Sequence, residues 1–190
     1  GYVQGAVDEV GSFAIALANG ARAKAVLRIG CSKGLDGVVS KKEIDTVADL
    51  SGRTIAYELG GPSHLYLLSL LREAGLTIDD VETVTMQTDQ AALAFITNDV
   101  DAAVTWEPWL HKCMKSPACK ILSTSRETPG LLVDIVTVQT DFLEKHPVAV
   151  RRFIRAWFLA VDYMEQHSAA ANSIIAESIG VSDSNDFSHM

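Results

Sequence analysis

Apolar positions recur along this chain with two different periods, and the switches between them mark its elements. Short alternating or continuously apolar runs predict strands at 6–10, 23–29, 38–39, 54–58, 81–86, 101–105, 120–122 and 133–138. A 3.6-residue spacing predicts helices at 12–19, 62–74, 90–97 and 107–114, a long helix from Pro147, and a last one at 169–179. The signal is clearest from Pro62, where His64, Leu67, Leu68, Leu71 and Ala74 share one face and Gly75-Leu76 makes a Schellman-type stop. In the long helix Val150, Phe153, Trp157, Ala160, Val161 and Met164 form one stripe. Thr88-Asp89 reads as a helix cap, and Asp141-Phe142-Leu143-Glu144 as a capping box.

Strands separated by helices imply an α/β fold with parallel pairing and helices on both faces of the sheet. Ligands of such sheets bind where strand ends meet helix N-termini. That rule selects Gly11-Ser12, the loops 31–36, 59–64 and 87–90, and Trp106-Glu107. No internal repeat or low-complexity stretch interrupts the pattern.

Composition narrows the function. In 190 residues the apolar fraction is 48% and the charged fraction 21%, as in ordinary globular chains. Sixteen Lys+Arg against 24 Asp+Glu leave a net charge of -8, which disfavours nucleic acid and anionic membrane as partners. No unbroken apolar run exceeds six residues (156–161 is one), far short of the roughly 18 that span a bilayer. The first residues carry no signal-peptide pattern, as in a mature exported chain.

The chemical inventory is poor in catalytic motifs. Gly-x-Ser-x-Gly, His-Glu-x-x-His and the phosphate-binding Gly-x-x-x-x-Gly-Lys pattern are absent, and Gly30, Gly34 and Gly37 do not match the dinucleotide fingerprint. The five histidines lack ligand spacing, so no metal or other cofactor is expected. Cys113 and Cys119 flank a polar, Pro-containing stretch that suits either a small loop disulfide or two free thiols, with Cys31 left over.

Anion binding is better supported. Residues 59–64 put Gly60, Gly61, Pro62, Ser63 and His64 on the first turn of a helix, where free N–H groups and the helix dipole favour negative charge. The same residues also suit a plain strand-to-helix turn capped by Ser63, and the sequence leaves both readings open. Trp106 sits at a strand end, as a ligand wall or as packing; Glu107 there would meet a ligand ammonium or tie down a loop.

Residues 47–109 carry further marks: Asp49-Leu50-x-Gly52-Arg53-x-Ile55-Ala56, Gly60-x-x-x-His64, Gly75-Leu76, Asp80-Val81, Ala91-x-x-Ala94-Phe95, Val100-Asp101-Ala102 and Trp106-Glu107-Pro108. With Ser32-x-Gly34-x-Asp36-Gly37-Val38-Val39 before them and Asp141-Phe142-Leu143 and the Pro147 helix after, the chain resembles the substrate-binding proteins of bacterial ABC importers, in the nitrate/taurine/aliphatic-sulfonate group. The resemblance implies a two-lobed type II periplasmic-binding-protein fold. Lobe one would be 1–40 with 133–190 and lobe two 41–132, hinged near Val38-Val39 and Ile135-Val136. It further implies a non-enzymatic solute-binding component outside the inner membrane, periplasmic or lipid-anchored, that delivers a small anion to ABC permease subunits. Ser63, Gly60, Gly61 and His64, with Thr88 or Asp89, would hold a sulfonate- or taurine-like anion from lobe two. Ser12, Cys31 and Ser32 would face it from lobe one, and Trp106 would wall the cleft.

Nitrate or a pyrimidine precursor are the alternative solutes, and a transcription regulator's effector-binding domain is the alternative role. An enzyme related to pyrimidine-precursor synthases would need a cysteine-rich metal motif that three scattered cysteines do not supply. Compared with the group, the chain reads as cut at both ends, which leaves lobe one short of a strand and helix and predicts self-association through exposed sheet edges.

Overall fold

The computed structural model describes residues 3–179. Among these residues eight strands and seven α-helices follow one another in this order: β1 (Gly5–Glu9), α1 (Val10–Ala18), β2 (Ala23–Cys31), β3 (Asp36–Lys41), β4 (Thr54–Tyr57), α2 (Pro62–Glu73), β5 (Glu82–Thr85), α3 (Thr88–Ile96), β6 (Ala102–Trp106), α4 (Trp109–Met114), β7 (Cys119–Thr124), β8 (Val133–Gln139), α5 (Thr140–Lys145), α6 (Pro147–Gln166) and α7 (Ser168–Ile179). Every element expected from periodicity is present, with ends displaced by a few residues. No helix among the described residues is long and apolar enough to cross a membrane.

The strands form two sheets. One is three-stranded, ordered β1-β8-β2, and the other five-stranded, ordered β5-β4-β6-β3-β7. The expectation of parallel pairing holds only for β4 with β5 and with β6. β3 runs antiparallel to β6 and β7, and the smaller sheet is wholly antiparallel. The reason is topological. β3 carries the chain from the first sheet into the second and its neighbour β7 precedes the return, so the two must run in opposite directions. Hydrophobic periodicity reports burial and is blind to strand direction.

The crossings between the sheets lie at 32–35 and 125–132, not at Val38-Val39 and Ile135-Val136, which sit inside strands. Both crossings are tied together. The Ser32 N–H donates to the Leu132 carbonyl at 3.0 Å, and the Ser32 and Ser125 hydroxyls lie 2.6 Å apart. Ser125 Oγ also accepts from the Gly34 N–H at 2.8 Å.

The period-two alternation of side chains across the larger sheet divides its core in two. Val38, Ile55, Tyr57 and Val104 face Tyr66, Leu67, Leu70 and Leu71 of α2. Val39, Ala56 and Ala103 face Ala91, Ala92 and Phe95 of α3 and Leu110 and Cys113 of α4. Large residues fill the α2 side, whereas alanines on both partners let α3 approach the sheet closely. Tyr66 is fully buried, its hydroxyl 2.9 Å from that of Ser123, and burial pushes the phenol well above its ordinary range.

Local chemistry sets the helix ends. Pro62 occupies the first turn of α2. At its other end Leu76 N–H donates to Leu71 carbonyl at 2.8 Å and Gly75 N–H to Arg72 carbonyl at 3.1 Å, with Gly75 at φ +76°, a complete Schellman motif. The expected cap at Thr88-Asp89 is displaced. Gln87 is the N-cap of α3, and Thr88 already lies in the helix because its hydroxyl donates to Glu58 Oε2 at 2.8 Å. The expected capping box at Asp141 is likewise absent: α5 is capped by Gln139 without a side-chain bond, and Asp141 pairs with Arg22 at 3.1 Å. True capping boxes close the short 3-10 turns Val47–Leu50, from Thr46 and Asp49, and Ile78–Asp80, from Thr77 and Asp80. On α6 only Val150 of the predicted stripe is buried, and Phe153 is 47% exposed.

Asp101 joins three strands of the larger sheet. Its carboxylate accepts from Lys41 Nζ at 2.8 Å and from the Thr54 N–H at 3.1 Å, while its backbone bonds Lys41 and Thr54. The Lys41 hydrogen bond, helped by the Thr54 N–H and opposed by burial, holds its carboxyl below the usual range. A carboxyl depressed on folding stabilises above its unfolded value of about 3.9, and that contribution fades as pH falls through the lower folded value. Asp101→Asn should therefore cost about 1–2 kcal/mol at neutral pH in denaturant titration. The variant's stability should also fall less steeply than the parent's below about pH 4.

Candidate functional site

The N-termini of α1 and α2 meet between the two sheets. Glu9, the last residue of β1, caps α1: its Oε2 accepts from the N–H groups of Gly11 at 2.8 Å and Ser12 at 3.2 Å. Ser12 Oγ donates to the Gly60 carbonyl at 3.4 Å, linking the two helix entries. Gly60 has φ +80°, a conformation open to glycine at little cost. Its N–H points to His64 Nδ1 at 3.4 Å, and the His64 ring stacks on Tyr57 with centroids 5.2 Å apart. Among the described residues no group accepts from the N–H of Gly61 or of Ser63, so the start of α2 keeps free donors.

Two recesses flank this helix start. A smaller one of about 240 Å³ is lined by Glu9, Gly11, Ser12, Ile15, Gly60, Gly61, His64, Leu65 and Leu68. A larger one of about 350 Å³ is lined by Glu9, Ser32, Leu35, Asp36, Pro62, Trp106, Glu107, Leu132 and Asp134. Glu9 belongs to both. A third groove of about 430 Å³, between β1, β8 and α6, is bordered by apolar side chains and Gln4 and offers nothing to hold a charge.

Of the residues singled out from sequence, the structure gathers Ser12, Gly60, Gly61 and His64 at the smaller recess and Ser32 and Trp106 at the larger. Ser63 is 2% exposed, and its hydroxyl lines neither recess and has no partner among the described residues. Cys31 ends β2, with Sγ 3.8 Å from the Ser32 carbonyl, and Thr88 and Asp89 start α3; none of the three lines a recess.

Sequence reasoning missed Glu9 and Asp134 altogether. They stand opposite one another in the β1–β8 register, 125 positions apart in the chain, and no local pattern announces such a pair. Asp36 and Glu107 lay in loops already marked by the strand-end rule. Burial raises the Asp36 carboxyl above its ordinary value; the Ser32 hydroxyl pulls it down, and the charges of Asp134 and Glu9 push it further up. Glu107 both lines the recess and accepts from the His111 N–H at 3.1 Å, so it ties down α4 as well. No group of three His, Cys, Asp or Glu side chains among the described residues stands close enough to hold a metal ion.

Two sheets joined by paired crossings, with helix N-termini and polar recesses between them, define the periplasmic-binding-protein class of fold. Residues 1–171 match the family model described as NMT1/THI5 like, and the chain belongs to that family. It is 30% identical over 137 residues to the taurine-binding periplasmic protein of Escherichia coli (strain K12), covering 70% of this chain and 41% of the relative. It is 32% identical over 134 residues to a Bacillus subtilis (strain 168) protein named as a candidate aliphatic-sulfonate binder, covering 70% and 40%. The matched stretches thus cover less than half the length of these relatives. Among solved structures, the periplasmic aliphatic sulphonate binding protein SsuA of Escherichia coli superposes with TM-score 0.78 at 22% identity, covering 92% of this chain and 61% of that one. The desulfurization enzyme DSZB superposes with TM-score 0.65 at 20% identity, covering 95% and 68%. Fold alone therefore does not separate binding from catalysis.

The cysteines are free thiols. Cys113 and Cys119 are buried in the α3–α4 core, where loss of solvation pushes them up to about 12 and about 11. Iodoacetamide near pH 7.5 should leave both unmodified in the native protein, and their alkylation should accelerate at least about a hundredfold on unfolding. Equal rates in the two states, read by mass spectrometry, would show that they are accessible.

Proposed function

We propose that this chain is the solute-capturing part of an ABC importer's binding protein and takes a small organic anion of the sulfonate or taurine type. One observation carries the reading. The start of α2 offers the unpaired N–H groups of Gly61 and Ser63 beside a recess that also holds Ser12 and His64. Helix N-termini with free donors suit oxyanions, and the dipole adds roughly 0.3–1 kcal/mol to the hydrogen bonds themselves. A micromolar affinity needs about -8 kcal/mol, which several charge-assisted bonds of this kind supply together.

The smaller sheet with α1 forms one lobe and the larger sheet with α2 to α4 the other. A ligand bridging them favours the closed form, which a permease would read outside the inner membrane. The role is binding rather than catalysis. Among the described residues the half-buried Cys31 thiol has the Ser32 carbonyl as its hydrogen-bond partner, which is no base to activate it.

Calorimetry with taurine, short alkanesulfonates and nitrate tests the reading, with the sulfur acids expected at micromolar Kd. His64→Ala, which removes a recess wall and the acceptor for the Gly60 N–H, should weaken the best of them about tenfold, close to 1.4 kcal/mol. Binding of none of the three by the folded protein would reject the anion class.

A further inference from the structure

Among the described residues four strands end a sheet, and three of them are guarded. β2 carries Lys24 and Arg28 and shifts register twice against β8, at Val26 and Ile29. β7 carries Lys120 and shifts once against β3, at Leu122. β5 is four residues long and opens on Glu82. Bulges, lysines and short length are the means by which sheets keep a second chain from adding on.

β1 carries neither bulge nor lysine. Gly5, Ala6 and Val7 run in unbroken register along β8. Gln139 lengthens the pairing, its main-chain N–H donating to the Gln4 carbonyl at 2.9 Å and its side-chain amide to the Val3 carbonyl at 2.8 Å. The two acids of the strand are engaged, since Asp8 Oδ1 accepts from the Glu9 N–H at 3.0 Å and Glu9 caps α1.

The surface beside this edge is apolar. Val3 is 68% and Val7 66% exposed. Residues 4–7 form one wall of the groove of about 430 Å³, with Val136, Val138, Val150 and Phe153 among the others. No charged side chain lines the groove, in a chain of net charge -8. Two copies repel over most of their surfaces, and this face lets them meet without bringing like charges together.

We propose that β1 pairs with β1 of a second copy, antiparallel about a two-fold axis at Val7. That register sets Val7 against Val7, Ala6 against Asp8 and Gly5 against Glu9, so no like charges stand opposite. An in-register parallel pairing would oppose Asp8 to Asp8 and Glu9 to Glu9. Because β1, β8 and β2 already alternate in direction, the two three-stranded sheets become one continuous antiparallel sheet. The contact is isologous, and with the other edges guarded the assembly closes at two copies. A five-residue ladder with a flanking groove is smaller than a standard interface, which gives a dissociation constant of roughly 10–100 μM. The groove shares no lining residue with either recess, so the pairing stands independently of ligand capture.

Sedimentation equilibrium of the full chain reads the pairing, and the parent should form a reversible dimer and nothing larger. Val7→Lys and Val7→Glu, at an exposed position, should leave the melting temperature unchanged. Each should weaken the dimer at least about tenfold, since two like charges then face each other. Ala25→Lys, on the guarded β2 edge, should leave it intact. An equal mixture of the Val7→Lys and Val7→Glu chains should associate as well as the parent, because Lys then opposes Glu; a variant that had merely lost its fold would not be rescued. A chain monomeric up to about 500 μM, a dimer indifferent to both Val7 variants, or no recovery in the mixture overturns the proposal. So does a monomer whose amides at Gly5–Glu9 exchange slowly throughout, which would show that another segment of chain covers the edge.

Discussion

The molecule depends on how the larger sheet shares its side chains between two faces. Along β3, β4 and β6 successive residues alternate between a large-residue core under α2 and an alanine-lined core under α3 and α4. The first seats α2 by its whole inner face and so fixes where its N-terminus emerges. The second draws α3 close, which holds β6 and puts Trp106 at the strand's end. Residues at the cleft are therefore placed by contacts well below it, and helix starts on a rigid sheet position donors better than free loops do.

Glu9 is where fold and site meet. One oxygen closes the N-terminus of α1 and occupies the N–H groups of Gly11 and Ser12. Of the two helix starts that meet there, α2 is the one left uncapped by a side chain, and the two recesses differ: one is bordered by its N–H groups and the other by carboxylates. The Ser32–Ser125 and Ser32–Leu132 bonds tie the two crossings together at the same place.

Much of this was legible from residue order. The element sequence, the Pro62 entry and Gly75 exit of α2 and the family resemblance all follow from local patterns, because burial periodicity and turn chemistry act over a few residues. Strand direction was misread, since alternation is identical in parallel and antiparallel ladders. The caps at Thr88 and Asp141 were misassigned because Glu58 and Arg22, distant in sequence, claim those side chains. Ser12, Gly60, Gly61 and His64 did come together, since the strand-end rule ties loops to helix starts.

The sequence by itself determined which segments fold and which helix start is rich in glycine, for these are short-range properties of the chain. Only the tertiary structure decided that Glu9 faces Asp134 across a ladder, that Ser63 is turned into the interior, and that four carboxylates border one recess. Charge repulsion and hydrogen-bond satisfaction depend on distances through space, and those distances exist only once both crossings have brought the two sheets together.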